Sequence, residues 1–267
     1  MEWELAHLRR ALPSGHDDRS GGACAYLTSL GEQPLVLAFC GMGMVSAAAG
    51  AQAVISQYRP RAVLNYGCVG AHRPDLLLGD LIVGTRVIAS QSLRETPDGE
   101  LAYAGMYYLA DGQQRRTQAV EADSALLAMA RQVAEHAPAE PEPWPLELGW
   151  PATVAHRPPR VVFGTVTSAD HWHRSPASIA ALVERYDSLC EDMEAAAIGL
   201  VCTSQGVPFL SLKDVSNNEL LQPTLSSAAM LDELGRDQIA RRAAAFTLAV
   251  LGALTGSDPR GLTGSAG

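Results

Sequence analysis

Ser188-Leu-Cys-Glu-Asp-Met-Glu-Ala-Ala-Ala-Ile-Gly199, with Val207-Pro-Phe-Leu-Ser-Leu-Lys-Asp-Val-Ser-Asn217 after it, is the stretch from which the fold can be read. A short apolar strand runs into two acids, a methionine and a third acid. A helix of small residues begins at once, and a second buried strand follows it and ends in Ser-Asn. Strand, helix and strand in succession make an α/β unit, and open α/β sheets bind ligands beyond the carboxyl ends of their strands. The carboxylates and the terminal amide of this stretch fall at those ends.

Outward from this unit the alternation continues. Residues 23–30 and 34–39 read as strands joined by a turn at Gly31. Residues 61–66, 80–89 (bent at Gly84) and 160–166 read as further strands. Helical spacing covers 2–12, 46–58, 121–136 and 176–186, the last with Ser175 as cap and Pro176 in first position. A final helix is expected over 226–254, its inner face carrying Leu231, Leu234, Ile239, Ala243, Phe246, Leu248 and Leu251. Residues 13–22 read as a polar loop and 101–112 as an aromatic, irregular segment. The segment 137–160, with seven prolines and two tryptophans, reads as a surface insertion, because no second core follows it. The Gly/Ser-rich tail from Thr255 reads as disordered. These elements predict one α/β domain over 1–255, with an insertion at 137–160, a flexible tail over 256–267 and a mixed, largely parallel sheet.

Composition narrows the function. The chain has 267 residues, 47% of them hydrophobic and 18% charged, which suits one globular domain. Its formal charge of -9 comes with no basic patch, which argues against nucleic acid and anionic membrane as partners. No apolar run reaches the roughly 20 residues of a membrane span, and Met1-Glu-Trp-Glu-Leu lacks the form of a signal peptide. Cys24, Cys40, Cys68, Cys190 and Cys202 are odd in number, scattered and without zinc-like spacing, which fits a reducing cytoplasm.

Four motifs in order carry a family resemblance: Cys40-Gly-Met-Gly-Met-Val-Ser-Ala-Ala, Asn65-Tyr-Gly-Cys-Val-Gly-Ala, Thr167-Ser-Ala-Asp-His-Trp and Glu191-Asp-Met-Glu-Ala-Ala-Ala-Ile. Together they resemble the nucleoside phosphorylase/nucleosidase superfamily. The nearest branch is the methylthioadenosine/S-adenosylhomocysteine nucleosidases and futalosine hydrolases. The similarity runs from Met1 to about residue 254, interrupted by 137–160. It implies a three-layer α/β/α fold around a central mixed sheet and cleavage of an N-glycosidic bond between purine and ribose. It also implies a homodimer, water as co-substrate, no cofactor and no metal. In the family a strand precedes the motif that carries the N-terminal acid, and this sequence starts just after it. The resemblance therefore implies either a start upstream of Met1 or a gap in the sheet beside Glu4.

The resemblance assigns roles residue by residue. Glu194 accepts from ribose hydroxyls while Met193 packs on the sugar, which becomes oxocarbenium-like in the transition state. By position alone Glu194 can also be read as an acid favoured by a helix N-terminus. Asp192 stands at the first acid of the family's Glu-Met-Glu pattern, one carbon shorter. Glu4, in Met1-Glu-Trp-Glu, matches the water-activating acid. Asn217 stands where adenine-cleaving nucleosidases carry aspartate. Its amide donates to N7 or to a 6-oxygen, so a 6-oxopurine nucleoside (inosine, guanosine or futalosine) is the expected substrate. As a residue type, Asn also commonly caps a turn. Trp172 aligns with the aromatic that stacks on the base, His173 supplies backbone groups to the base edge, and Asp170 orients the loop or Asn217. Cys68, Val69 and Gly70 lie near base and sugar. Cys68 lacks the histidine neighbour of a nucleophile, and His171 and His173 lack a third metal ligand. Met106, Tyr107 and Tyr108 are expected to wall the 5′ pocket. The chain lacks the Gly-Asp-Pro-x-Arg loop of hexameric phosphorylases, and Arg86 and Arg174 sit in no phosphate motif, which favours water over phosphate. The alternatives are a methylthioadenosine/S-adenosylhomocysteine nucleosidase, a phosphate-dependent phosphorylase, and a nucleoside-binding protein without catalysis.

Overall fold

A computed structural model describes residues 4–20, 24–136, 143–221 and 237–256. The chain runs α1 (Leu5–Ala11), β1 (His16–Asp18), β2 (Cys24–Leu30), β3 (Gln33–Phe39), α2 (Met44–Tyr58), β4 (Val63–Ala71) and β5 (Leu81–Ala89). It continues β6 (Leu93–Glu95), β7 (Leu101–Tyr103), β8 (Met106–Ala110), β9 (Gln113–Thr117), β10 (Val120–Glu121), α3 (Ser124–His136) and β11 (Val161–Ser168). It ends α4 (Pro176–Tyr186), β12 (Ser188–Asp192), α5 (Ala195–Gln205), β13 (Phe209–Asn217) and α6 (Arg241–Thr255).

A six-stranded mixed sheet, ordered β10-β5-β11-β12-β4-β13, forms the middle layer. β11 is parallel to β5 and β12, and β13 is parallel to β4; β12 against β4 and β10 against β5 are antiparallel. β13 also pairs antiparallel with β5, so five strands close into a ring instead of the open sheet expected from the sequence. The bend expected at Gly84 is a bulge one residue later, where Gly164 and Thr165 pair with Gly84 and Arg86 and skip Thr85.

Helices cover both faces. On one side α2 packs on α5 through small residues, with Ala47, Ala51 and Ala195 to Ile198 in one core cluster. The first turns of α5, Ala195 to Gly199, are apolar and buried on every side. On the other side Leu126 and Ala130 of α3 and Ala243, Phe246 and Val250 of α6 pack on Leu81, Val83, Leu210 and Leu212 of the sheet. This is the three-layer arrangement expected. α1 seals a third cluster between α6 and the small β1-β2-β3 sheet through Leu8, Leu12, Leu30, Leu37 and Ala244.

Three expectations change. Residues 93–117 are not irregular but form two hairpins, β6-β7 and β8-β9. The described part of the proline-rich segment is not confined to the surface. Trp144 is 1% exposed and joins the main core with Trp150, while Arg157 binds the fully buried Asp80 at 2.6 and 2.7 Å. The last helix begins at Arg241, after a break at Ala240 (φ 63), with Ile239, Ala243 and Phe246 inward as expected; Leu231 and Leu234 lie outside the described residues.

Candidate active site

The carboxyl ends of β12, β4 and β13 lie side by side, and their register puts Glu191, Gly70 and Asn217 in one cross-strand row. A cavity of about 1010 Å³ opens over this row. Glu4, Cys68, Val69, Gly70, Trp172, Asp192, Met193, Glu194 and Asn217 all line it; of the residues expected at the site, His173 and Asp170 do not.

Its acids are held by main-chain donors. Glu194 Oε1 accepts from Gly43 N at 3.0 Å and Oε2 from Met193 N at 3.3 Å. Burial, with Asp192 beside it, raises its carboxyl above the ordinary range against the pull of Lys213. Glu4 Oε1 accepts from Cys68 N at 3.2 Å, and Tyr66 Oη donates to the Glu4 carbonyl. A Cβ on Gly67 would stand 3.0 Å from Glu4 Oε1 and 3.7 Å from Lys213 Nζ, so both groups converge on the face that the glycine leaves open. Burial alone would lower the Lys213 ammonium, but Asp192 and Glu194 raise it, and Asp192 Oδ2 lies 2.9 Å from its Nζ.

Asp192 lines the cavity and also holds the start of α5. Its carboxylate accepts from Ser168 Oγ at 2.5 Å, from the Glu194 and Ala195 N–H groups at the start of α5, and from Lys213. These contacts fix the helix start that carries Glu194. Cys68 is a closed thiol, pushed by burial, with Asp214 adding to it, up to about 11.

Asn217 is buried. Its Oδ1 accepts from Ser216 Oγ at 3.0 Å and its Nδ2 stands 3.4 Å from Glu219 Oε1, with the amide directed over Gly70. Trp172, 41% exposed, lies at the mouth. Of the two roles expected for Asp170, orienting the loop or Asn217, its contacts are with loop residues: its N–H donates to Gln91 Oε1 at 2.7 Å. Its carboxylate accepts from Met44 N at 2.7 Å and so fixes the Gly41–Met44 turn, whose Gly43 (φ +93) brings its own N–H to Glu194. The His173 N–H is committed to Glu191 Oε1 at 2.7 Å and its Nδ1 to Oε2 at 2.5 Å, so the backbone donor expected for the base edge is occupied. Met106 is buried in the core and Tyr107 and Tyr108 stand off the cavity, so none of the three walls it.

Lys213, Glu191 and His72 belong to the site and were not anticipated. A lysine directly after Phe209-Leu-Ser-Leu212 in a buried strand is the signal for Lys213, because lysine is almost never fully buried unless paired. Among the described residues no cluster of three or more His, Cys, Asp or Glu side chains is placed to hold a metal ion.

Fold and site together define a protein with a carboxylate-rich pocket at the strand ends of a mixed three-layer sheet. The profile described as the phosphorylase superfamily matches residues 1–252, and the chain belongs to that family. It is 25% identical over 234 residues to a 5′-methylthioadenosine/S-adenosylhomocysteine nucleosidase of Bacillus thuringiensis (strain Al Hakam), covering 87% of this chain and 89% of that one. In structure it is similar to the nucleosidase of the same name from Helicobacter pylori, with TM-score 0.71, 18% identity and 94% of each chain covered. The futalosine hydrolase of Helicobacter pylori strain 26695 matches with TM-score 0.71, 17% identity and the same coverage.

Proposed function

We propose that this protein is a nucleosidase that hydrolyses the N-glycosidic bond of a purine nucleoside bearing a 5′ substituent. The observation that carries the reading is the convergence of Glu4, Glu194, Trp172 and Asn217 on one cavity. The reading divides the work as follows. Trp172 stacks on the base. Glu194 accepts from the ribose hydroxyls and, as an anion, stabilises the positive charge that develops on the sugar. Glu4 takes a proton from water as its oxygen bonds to C1′, while the C1′–N9 pair leaves with the base. The base gains its proton from solvent, because Asn217 donates a hydrogen bond but carries no acidic proton. Water as the acceptor is supported by the placement of Arg86 and Arg174; of the arginines that do line the cavity, Arg59 and Arg61, the latter is bound to Gln33 Oε1 at 2.6 Å. Arg86 is bound to Thr165 Oγ1 at 2.9 Å and to the Tyr186 carbonyl, and Arg174 pairs with Glu219; neither lines the cavity.

The curated relatives turn the expectation from inosine and guanosine toward 5′-modified nucleosides, with methylthioadenosine and S-adenosylhomocysteine first. One observation favours a second reading: the Asn217 amide suits a 6-oxopurine, as in futalosine. The test incubates the protein with methylthioadenosine, S-adenosylhomocysteine, futalosine, inosine and adenosine, with and without phosphate, and resolves the released base by chromatography. Base release independent of phosphate is expected, and strict dependence on phosphate would overturn hydrolysis. Glu4→Gln and Glu194→Gln should each lower kcat/KM by about 100-fold or more. A binding protein would show no turnover before mutation. The proposed assembly is a homodimer, measurable by light scattering after size exclusion.

A further inference from the structure

We propose that Glu191 is a specificity-determining residue that reads the N1 edge of the base and selects a 6-oxopurine over adenine; this rests on the second, futalosine-type reading of the nucleosidase site and decides for it against methylthioadenosine and S-adenosylhomocysteine. Glu191 and Asn217 pair with the same residue, Gly70, from the strands on either side of it. Neighbouring strands lie about 4.8 Å apart, so the two backbones stand about 10 Å apart across a glycine. Residues paired in one row point to one face of the sheet, and both of these line the cavity. With no side chain at Gly70, the floor between them is open; a Cβ there would stand 3.2 Å from Asn217 Nδ2. A purine laid over Gly70 therefore presents one edge to an amide and the other to a carboxylate.

The carboxylate is built in. Its two oxygens take the His173 N–H and Nδ1, and His72 Nε2, buried and without a hydrogen-bond partner, faces it at 3.6 Å, where the contact is electrostatic. Burial pushes the Glu191 carboxyl up, but the facing His72 and His173 outweigh burial and hold it below the ordinary range. At neutral pH it is an anion that accepts only, with about four lone-pair sites, and His173 uses two. A 6-oxopurine has a hydrogen on N1 and offers O6 and N7 as acceptors, which complements Glu191 on one side and Asn217 Nδ2 on the other. Adenine presents a bare N1 lone pair where the 6-oxopurine has N1–H; its 6-amino group can still meet the carboxylate, but the acceptor–acceptor contact at N1 stays unmatched and is costly.

Free bases separate this inference from turnover. Calorimetric titration with hypoxanthine and adenine should show hypoxanthine bound about 10- to 100-fold more tightly, the range for one hydrogen bond to a charged group. In Glu191→Gln the carbonyl keeps one His173 contact and the amide donates to adenine N1. The hypoxanthine-to-adenine ratio should then fall by about 10- to 100-fold, with adenine bound more tightly than by the wild type. An unchanged ratio in a folded variant overturns the inference. Thermal melting reports whether the variant is folded. If it is not, the wild-type protein titrated with 1-methylhypoxanthine decides: binding about 10-fold or more weaker than hypoxanthine supports the contact at N1, and equal binding overturns it. Hydrolysis of nucleosides with no base discrimination would sink this inference alone, whereas discrimination without turnover of any nucleoside would sink the nucleosidase reading and leave the base contact standing.

Discussion

Lys213 is buried beside Asp192 and under the electrostatic pull of Glu194, and its charge decides how those acids behave. Removing one member of a buried ion pair leaves an uncompensated charge, so Lys213→Met should lower the free energy of unfolding by about 3–5 kcal/mol in urea titration. A second effect follows from Glu194, whose carboxyl is raised by burial and by Asp192 and lowered by Lys213. On the proposed reading Glu194 works as an anion, so activity should be present above its pKa and be lost as pH falls through it. Without Lys213 that pKa rises further, and the acid limb of the kcat/KM profile should move to higher pH. A variant that unfolds less readily than the wild type, or keeps the acid limb in place, would remove Lys213 from this role. At this scale Glu4, Glu194, Trp172 and Asn217 were legible because each sits in a short motif at a helix start, loop or strand end, whereas the main-chain donors that hold Glu4 and Glu194, Cys68 N and Gly43 N, come from distant segments. Lys213 was hidden by its strand, since Leu212, Lys213 and Asp214 carry no alternation when both faces are covered. Glu191 was hidden because its partners, His72 and His173, come from distant segments.

At the scale of elements, α6 is anchored by a carboxyl from the strand beneath it. Asp214 Oδ1 accepts from Ala240 N at 3.0 Å at the head of the helix. Burial raises the Asp214 carboxyl to about 7, against the opposing pull of the Ala240 N–H and Arg242. The sign is then fixed. The folded state holds this proton more tightly than the unfolded chain, so the stability it contributes is complete below about pH 4 and is lost as pH rises through 7. The shift corresponds to at most on the order of 4 kcal/mol. Asp214→Asn cannot titrate, so between pH 4 and 7 its urea midpoint should fall less steeply than that of the wild type; parallel profiles would refute the shift. Elements with a strong period were readable in the sequence. α4 has its Ser175 cap, accepting from Ser178 N at 3.2 Å, and Pro176 in first position. The hairpins of residues 93–117 escaped, because their strands are short and mix charged with aromatic residues, leaving no apolar face to count.

Across the whole molecule, the proline-rich segment is tied to β13 through Asp80. Its composition resembles a surface loop, yet Trp144 fills the core, its carbonyl meets His156 Nε2 at 2.8 Å, and Trp150 Nε1 donates to the Val154 carbonyl. What the sequence could not reveal is the partner of Arg157, because Asp80 lies 77 residues away. Arg157 and the Arg160 N–H together satisfy a carboxylate with no solvent access, and Asp80 also accepts from Leu77 N. Through its backbone Asp80 is joined to β13: Val215 N donates to the Asp80 carbonyl and Gly79 N to the Val215 carbonyl, both at 2.8 Å. Asn217 lies two residues beyond. The chain of contacts from Arg157 to Asp80 to Val215 therefore fixes the strand end that carries the Asn217 amide, the group proposed to read the base. Arg157→Ala should strip a buried carboxylate of its main partner and lower unfolding free energy by about 3–5 kcal/mol. Because the loss reaches Asn217 but not Glu4 or Glu194, KM should rise more than kcat falls. Steady-state kinetics with the substrate identified in the chromatographic assay, beside urea unfolding, check both. An unmoved urea midpoint would mean that Asp80 is held by main-chain donors alone. A fall in kcat at constant KM would mean that the segment acts on the chemistry and not on the placement of the base.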